Sequence, residues 1–207
     1  MLGNIHQSNL PILVRFVFGA LGVAFAMINQ VDYAMMSLII VSILTITHSE
    51  IDQYFEYQED ALSFGLELEV LADFIGYGLV PAAILQSLAG GAVWGVIVAA
   101  IYMLAVGIRL AHFNRPQEFQ GEQVELDHSY LGLPILAVVP VLAILLLIHF
   151  FAKGAWLAMV LAVLLLVLAV GYVMARPIPK LTKEQWRYTV MGLIVVLIVF
   201  LAFSIFL

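Results

Sequence analysis

The chain lacks cysteine and is poor in charge. None of its 207 residues is Cys, and 8 Lys and Arg residues stand against 14 Asp and Glu residues. Without thiols, disulfides and thiolate metal sites are excluded. Only 11% of the residues are charged and 64% are hydrophobic, whereas about a quarter of a soluble domain is charged. This composition excludes an ordinary soluble protein and predicts a polytopic membrane protein.

The hydrophobic residues are grouped into windows near the length of about 20 residues that spans a bilayer. The first nine residues contain no Lys or Arg and no small-residue cleavage site. We therefore expect no cleavable signal peptide, and expect the first window to direct insertion. The pattern predicts an all-α membrane bundle of about seven transmembrane helices in a single domain, 1–207. The windows fall at 10–29, 33–55, 66–88, 92–113, 131–150, 154–174 and 188–207.

The basic residues are distributed unevenly across these windows. Seven spans place only Lys153 on one side of the membrane, and the acidic residues other than Asp32 fall on the opposite, basic side. By the positive-inside rule that basic side is cytoplasmic. We therefore predict an integral membrane protein, in a prokaryotic cell membrane, whose functional site faces the cytoplasm. The residues on the basic side are Arg15, Arg109, Arg115, Arg176, Lys180, Lys183 and Arg187.

Two carboxylates in the third window predict a functional site. Glu69 and Asp73 are four residues apart and so share one helix face. Ionisable residues within a membrane span are energetically costly and usually functional. At the end of the second window, His48, Asp52 and Glu56 follow at the same spacing. The alternative is that these groups have no functional role and are solvated or paired with basic side chains such as Arg109 and Arg176.

Several landmarks together resemble the CDP-alcohol phosphatidyltransferase superfamily, and within it the phosphatidylserine synthase branch. The signature of that superfamily ends in Gly-x-x-x-Asp-x-x-x-Asp, which appears here as Gly65, Glu69 and Asp73. The further landmarks occur in the order and spacing of the phosphatidylserine synthases. They are the segments 76–82 (Gly-Tyr-Gly-Leu-Val-Pro-Ala), 109–114 (Arg-Leu-Ala-His-Phe-Asn) and 132–134 (Gly-Leu-Pro), followed by the basic linker 176–180.

The resemblance implies a six-helix core with a cytoplasm-facing site and a homodimeric assembly. It also implies metal-dependent transfer of a phosphatidyl group from a CDP-activated lipid, such as CDP-diacylglycerol, to a small hydroxyl acceptor such as serine, with release of CMP. Asp73 would act as catalytic base and metal ligand. The other metal ligands would be Glu69, His48 and Asp52, around Mg²⁺ or Mn²⁺, or Zn²⁺ because His48 supplies nitrogen. Nothing in the sequence predicts a nucleic-acid partner.

Substrate-binding residues follow from the same comparison. Gly65, which matches the glycine of the signature, is predicted to be substrate-binding, with helix packing as its alternative role. Four polar residues at cytoplasmic helix ends could form a pocket for a phosphate or carboxylate. Equally, basic residues at such ends satisfy the positive-inside rule without binding anything. The four are Arg109, His112, Arg176 and Lys180.

The first half of the signature differs from the family pattern. Counting back from Gly65 without a gap, the two leading aspartates become His48 and Ile51, and the arginine becomes Glu56. An acid where the phosphates should bind is electrostatically unfavourable. The alternative is therefore a catalytically degenerate or repurposed paralogue, which keeps the fold and binds a metal, lipid or partner. A small transporter or channel is disfavoured, since the outer half of the spans is almost uniformly apolar.

Overall fold

A computed structural model describes residues 9–51, 59–113, 129–151, 154–179 and 182–206. In chain order the elements are α1 Leu10–Met27, α2 Val31–Ile51, α3 Glu59–Asp73, a π-helical segment Phe74–Leu79, α4 Val80–Leu88, α5 Val93–Phe113, β1 Ser129–Leu131, a 3-10 turn Ile135–Ala137, α6 Val138–Phe151, α7 Trp156–Val173, β2 Pro177–Pro179 and α8 Lys183–Phe206.

The prediction of a helical chain with several long apolar spans is confirmed. Within the described ranges, five helices are long and apolar enough to cross a membrane. The third runs through α3, the π-helical segment and α4 without a break, over Phe64–Leu88. Two shorter apolar helices, Ile135–His149 and Arg187–Ala202, follow. They correspond to the fifth and seventh predicted windows, so a count of seven membrane spans stays a prediction.

Helix α2 lies at the centre of the bundle. It packs against α1, α4, α6 and α8, while α5 packs against α7. Its apolar side chains Leu38 and Val41 are almost completely buried. A helix that is apolar on all sides is typical of a buried position, which explains why this span shows little amphipathic periodicity.

Small residues set the distance between α1 and the third span. A Cβ added at Gly19 would lie 2.9 Å from Ile75 Cγ2 and 3.4 Å from the Gly76 backbone nitrogen. Glycine at such a contact lets two membrane helices approach closely. Helices α1 and α3 are separated by α2 and therefore cross in the same direction. Because Gly19 meets Gly76, the residues one turn earlier on α1 face the carboxylates of α3.

The third span is irregular in its middle, at a place that the sequence did not indicate. The turn Phe74–Leu79 is π-helical, and Pro81 follows it in the first turn of α4. The Tyr102 hydroxyl on α5 donates to the backbone carbonyl of Tyr77, at 2.6 Å. This bond satisfies a carbonyl that lacks its usual helical donor, because the residue four positions on is Pro81, which has no N–H.

A small antiparallel sheet closes one end of the bundle and was not predicted. Ser129 pairs with Pro179, and Leu131 with Pro177. The sheet joins the start of α6 to the linker before α8, so the proline-rich linker is a strand. We call this the sheet end. The opposite, loop end comprises the short connections between α1 and α2, between α4 and α5, and between α6 and α7.

Candidate functional site

The two predicted carboxylates meet an arginine that sequence reasoning had not linked to them. Arg15 on α1 donates from Nη1 to Glu69 Oε1, at 3.2 Å, and from Nη2 to Asp73 Oδ1. The Arg15 side chain is completely buried, while those of Glu69 and Asp73 are 35% and 14% exposed. We call these three residues the ionic triad. A planar guanidinium can serve two carboxylates at once, which an ammonium group does less well.

The triad is partly open to its surroundings through its carboxylates. Glu69 and Asp73 lie four residues apart on α3, and the π-helical segment begins directly after Asp73. Such π turns within α-helices often occur at functional sites. The partly exposed Glu69 is therefore the member of the triad that solvent or a ligand can reach.

The sequence left open that the carboxylates pair with basic side chains such as Arg109 and Arg176; among the described ion pairs their basic partner is Arg15. Arg109 is buried and its Nη2 lies 3.5 Å from the carbonyl oxygen of Gly132, so it supports the start of the sheet end. Arg176 has an exposed side chain, and its carbonyl accepts a hydrogen bond from the Gly132 amide at 2.7 Å. Arg15 could have been found from the sequence, because it is the one charged residue inside the first apolar window.

The other predicted site residues are distributed as follows. His48 is buried near the end of α2, and His112 lies partly exposed in the last turn of α5. Gly65 lies on α3, and a Cβ there would be 2.7 Å from Asn9 Oδ1. The side chain of Asn9 thus packs directly against Gly65, the residue predicted to bind substrate. Asp52 and Lys180 lie outside the described residues.

The side chains around Glu69 and Asp73 test whether the expected divalent cation could bind there. Oxygen ligands such as Glu69 and Asp73 suit Mg²⁺ or Mn²⁺, but both already share the guanidinium of Arg15. Within the described ranges, no group of three or more His, Asp or Glu side chains is placed to hold a metal ion. The described side chains therefore do not by themselves fit a divalent cation. A metal site that includes Asp52 stays a prediction.

A second feature at the sheet end is an apolar cleft between α6 and α8. Its volume is about 440 Å³. On one side it is lined by Pro134, Ala143 and Leu147, and on the other by Gly192 and Leu193. The cleft begins at Pro134, two residues after the glycine that Arg109 and Arg176 contact.

Comparison with known proteins adds no assignment: no family model matches this chain, and no curated protein matches it.

Proposed function

We propose that this chain is a phospholipid-binding membrane protein built on a phosphatidyltransferase-like plan, in which the ionic triad holds helices together. It corresponds to the repurposed paralogue that the altered signature suggests. The observation that carries the proposal is the apolar cleft between α6 and α8, which begins beside arginines at the sheet end.

The dimensions of the cleft suit an acyl chain. From Val139 to Leu147 it follows α6 for about 12 Å, at a rise of about 1.5 Å per residue. One leaflet contributes half of the hydrocarbon thickness of about 30 Å. Its lining is almost entirely aliphatic, with Thr189 as the polar exception. An acyl chain would bury this surface without leaving polar groups unsatisfied.

The charge at the start of the cleft favours an anionic headgroup. Arg176 lies beside Gly132, two residues before the cleft begins at Pro134, and is exposed. Arginine binds phosphate oxygens through paired, charge-assisted hydrogen bonds. A guanidinium near the start of an apolar cleft thus combines the two halves of an anionic phospholipid site.

A cleft-filling substitution tests this proposal. A Cβ at Gly192 would have no atom within 4 Å, so Gly192→Trp should fold and fill the cleft. Met191 is 62% exposed on the same helix, and Met191→Trp is the matched control. We expect phosphatidylglycerol to raise the Tm of the wild type and of Met191→Trp more than phosphatidylcholine does, and Gly192→Trp to lose this preference. An undiminished preference in Gly192→Trp would contradict the proposal.

The headgroup half is tested separately. Arg176→Gln should weaken the effect of phosphatidylglycerol and leave that of phosphatidylcholine unchanged, because only the anionic lipid uses the guanidinium group. Lys153→Gln, at the opposite end of the sequence-derived topology, is the control. An equal response to phosphatidylglycerol in the arginine variant and in Lys153→Gln would remove the argument for an anionic lipid.

A second candidate is phosphatidyl transfer itself, with CDP-diacylglycerol and an acceptor such as serine. It is favoured by the partial exposure of Glu69 and by the landmark order. Purified protein is mixed with CDP-diacylglycerol, serine and Mn²⁺ or Mg²⁺, and CMP release is measured. We expect no release above that of Asp73→Asn. Release by the wild type that Asp73→Asn abolishes would establish the transferase and overturn the structural role of the triad.

The expected homodimer belongs to the same proposal. A cleft open to the membrane could bind a helix of a second copy of the chain instead of an acyl chain. Light scattering of the purified protein distinguishes the dimer from the monomer. If Gly192→Trp converts a dimer to a monomer without changing lipid preference, the cleft is a protein interface.

A further inference from the structure

A polar pocket at the loop end is separate from both the triad and the cleft. Its volume is about 420 Å³, and it is lined by Asn29, Asp32, Ser87, His149 and Gly154, with two aliphatic residues. These residues come from the three connections that make up the loop end. Pockets for small ligands generally occupy about 300–1,000 Å³, so the pocket is large enough for a small organic molecule.

Two side chains of this pocket carry buried polar atoms without a partner. Among the described residues, neither Asp32 Oδ1 nor His149 Nδ1 has a hydrogen-bond partner. Asp32 lies in the first turn of α2, where the helix dipole favours an acid. The dipole does not, however, supply the hydrogen bond that a buried oxygen requires. Buried polar atoms are nearly always satisfied, by protein, water or ligand, so two in one pocket need an explanation.

The remaining polar atoms are held in place. The Ser87 hydroxyl donates to Asn29 Oδ1 at 3.0 Å, which fixes the amide so that its oxygen faces Ser87. Asn29 itself has a positive φ of 60°, an uncommon backbone conformation that Asn tolerates better than most residues. The pocket therefore presents a carboxylate oxygen, an amide oxygen and an imidazole nitrogen on a fixed backbone.

We propose that this loop-end pocket binds a small primary ammonium compound, with Asp32 as its counter-ion and His149 as a second acceptor. A primary ammonium group has three N–H donors and no acceptor, which matches a pocket lined by acceptor atoms. Simple amines of this kind resemble the lysine side chain, whose pKa is about 10.4, and are charged at neutral pH. The size of the pocket favours such a molecule over a bare metal ion. This inference does not depend on the proposed lipid function.

Binding is tested by calorimetry on the full-length protein in detergent, with ethanolamine as the probe and ethylene glycol as its neutral counterpart. We expect ethanolamine to bind and ethylene glycol not to bind. Asp32→Asn should weaken ethanolamine binding at least tenfold and His149→Phe severalfold, whereas Gln30→Ala, an exposed position beside the pocket, should bind as the wild type does. Tm values of the variants in the absence of probe report whether each one folds.

Several outcomes would overturn the proposal. One is a failure of ethanolamine to bind up to the highest soluble concentration, and another is binding of ethanolamine by Asp32→Asn as tight as by the wild type. Equal binding of ethylene glycol would show a pocket without charge selection. Binding of Zn²⁺ alone, lost in both variants, would make the pocket a metal site instead. Because Lys153 lies near Gly154 in sequence, Lys153→Ala is included: tighter ethanolamine binding there supports Asp32 as a cation site.

Discussion

Arg15 on α1 donates to Asp73 on α3 across a sequence separation of 58 residues. The same guanidinium also donates to Glu69, so one buried cation joins two carboxylates that lie one helical turn apart. This relationship changes the interpretation of the most conspicuous motif in the sequence. The carboxylates are held by the protein itself, and any ligand that used them would have to compete with Arg15.

Removal of Arg15 should destabilise the protein strongly. Arg15→Met leaves two carboxylates without their cation, and breaking a buried ion pair in this way costs about 3–5 kcal/mol. We expect a clearly lower Tm in detergent, which Glu69→Gln and Asp73→Asn, added together to Arg15→Met, should largely restore. Arg187→Met, at an exposed position, is the control. An unchanged Tm for Arg15→Met would show that the triad contributes nothing to stability.

The hydroxyl of Tyr102 should stabilise the π-helical segment. Tyr102→Phe removes the donor to the Tyr77 carbonyl and leaves a buried oxygen unsatisfied, at a cost of about 1–3 kcal/mol. Amides of residues 74–79 should then exchange hydrogen faster, as measured by mass spectrometry. Tyr188 is 71% exposed, so Tyr188→Phe is the matched control. The role of Tyr102 is refuted when both variants exchange alike.

Two glycines with positive φ should respond differently to alanine. Gly90 (φ 61°) has no atom within 4 Å of an added Cβ, whereas at Gly132 (φ 76°) a Cβ would lie 2.8 Å from the Met174 carbonyl oxygen. Both substitutions carry a left-handed backbone penalty of about 1–2 kcal/mol. Only Gly132→Ala also forces the sheet end apart, so its Tm should be the lower. Equal Tm values for the two variants would mean that the contact between Gly132 and Met174 can widen without loss of stability.

The absence of cysteine makes the membrane orientation directly measurable. Gln30→Cys places a thiol at the loop end and Arg176→Cys one at the sheet end, both at exposed positions. Since basic residues remain in the cytoplasm, a membrane-impermeant maleimide should label Gln30→Cys in intact cells and Arg176→Cys only after lysis. The reverse labelling pattern would place the triad on the outside.

Long apolar segments were the most predictable part of the fold. Five of the expected spans are present as long apolar helices, since about 20 apolar residues in a row have few alternatives to a membrane helix. The π-helical turn and the strand pair were not predictable, because Tyr102 and the partners of β1 and β2 come from distant parts of the chain. Local sequence carries little information about such contacts.

The candidate site, like the fold, has one part that the sequence predicted and one part that it did not. The sequence by itself determined that Glu69 and Asp73 share a helix face within a membrane span, because helical periodicity and hydropathy are local properties. Only the tertiary structure decided what they meet: the close contact of Gly19 with Gly76 brings Arg15 onto that face. The electrostatic role of a buried carboxylate depends on the charge next to it, and that charge lies on another helix.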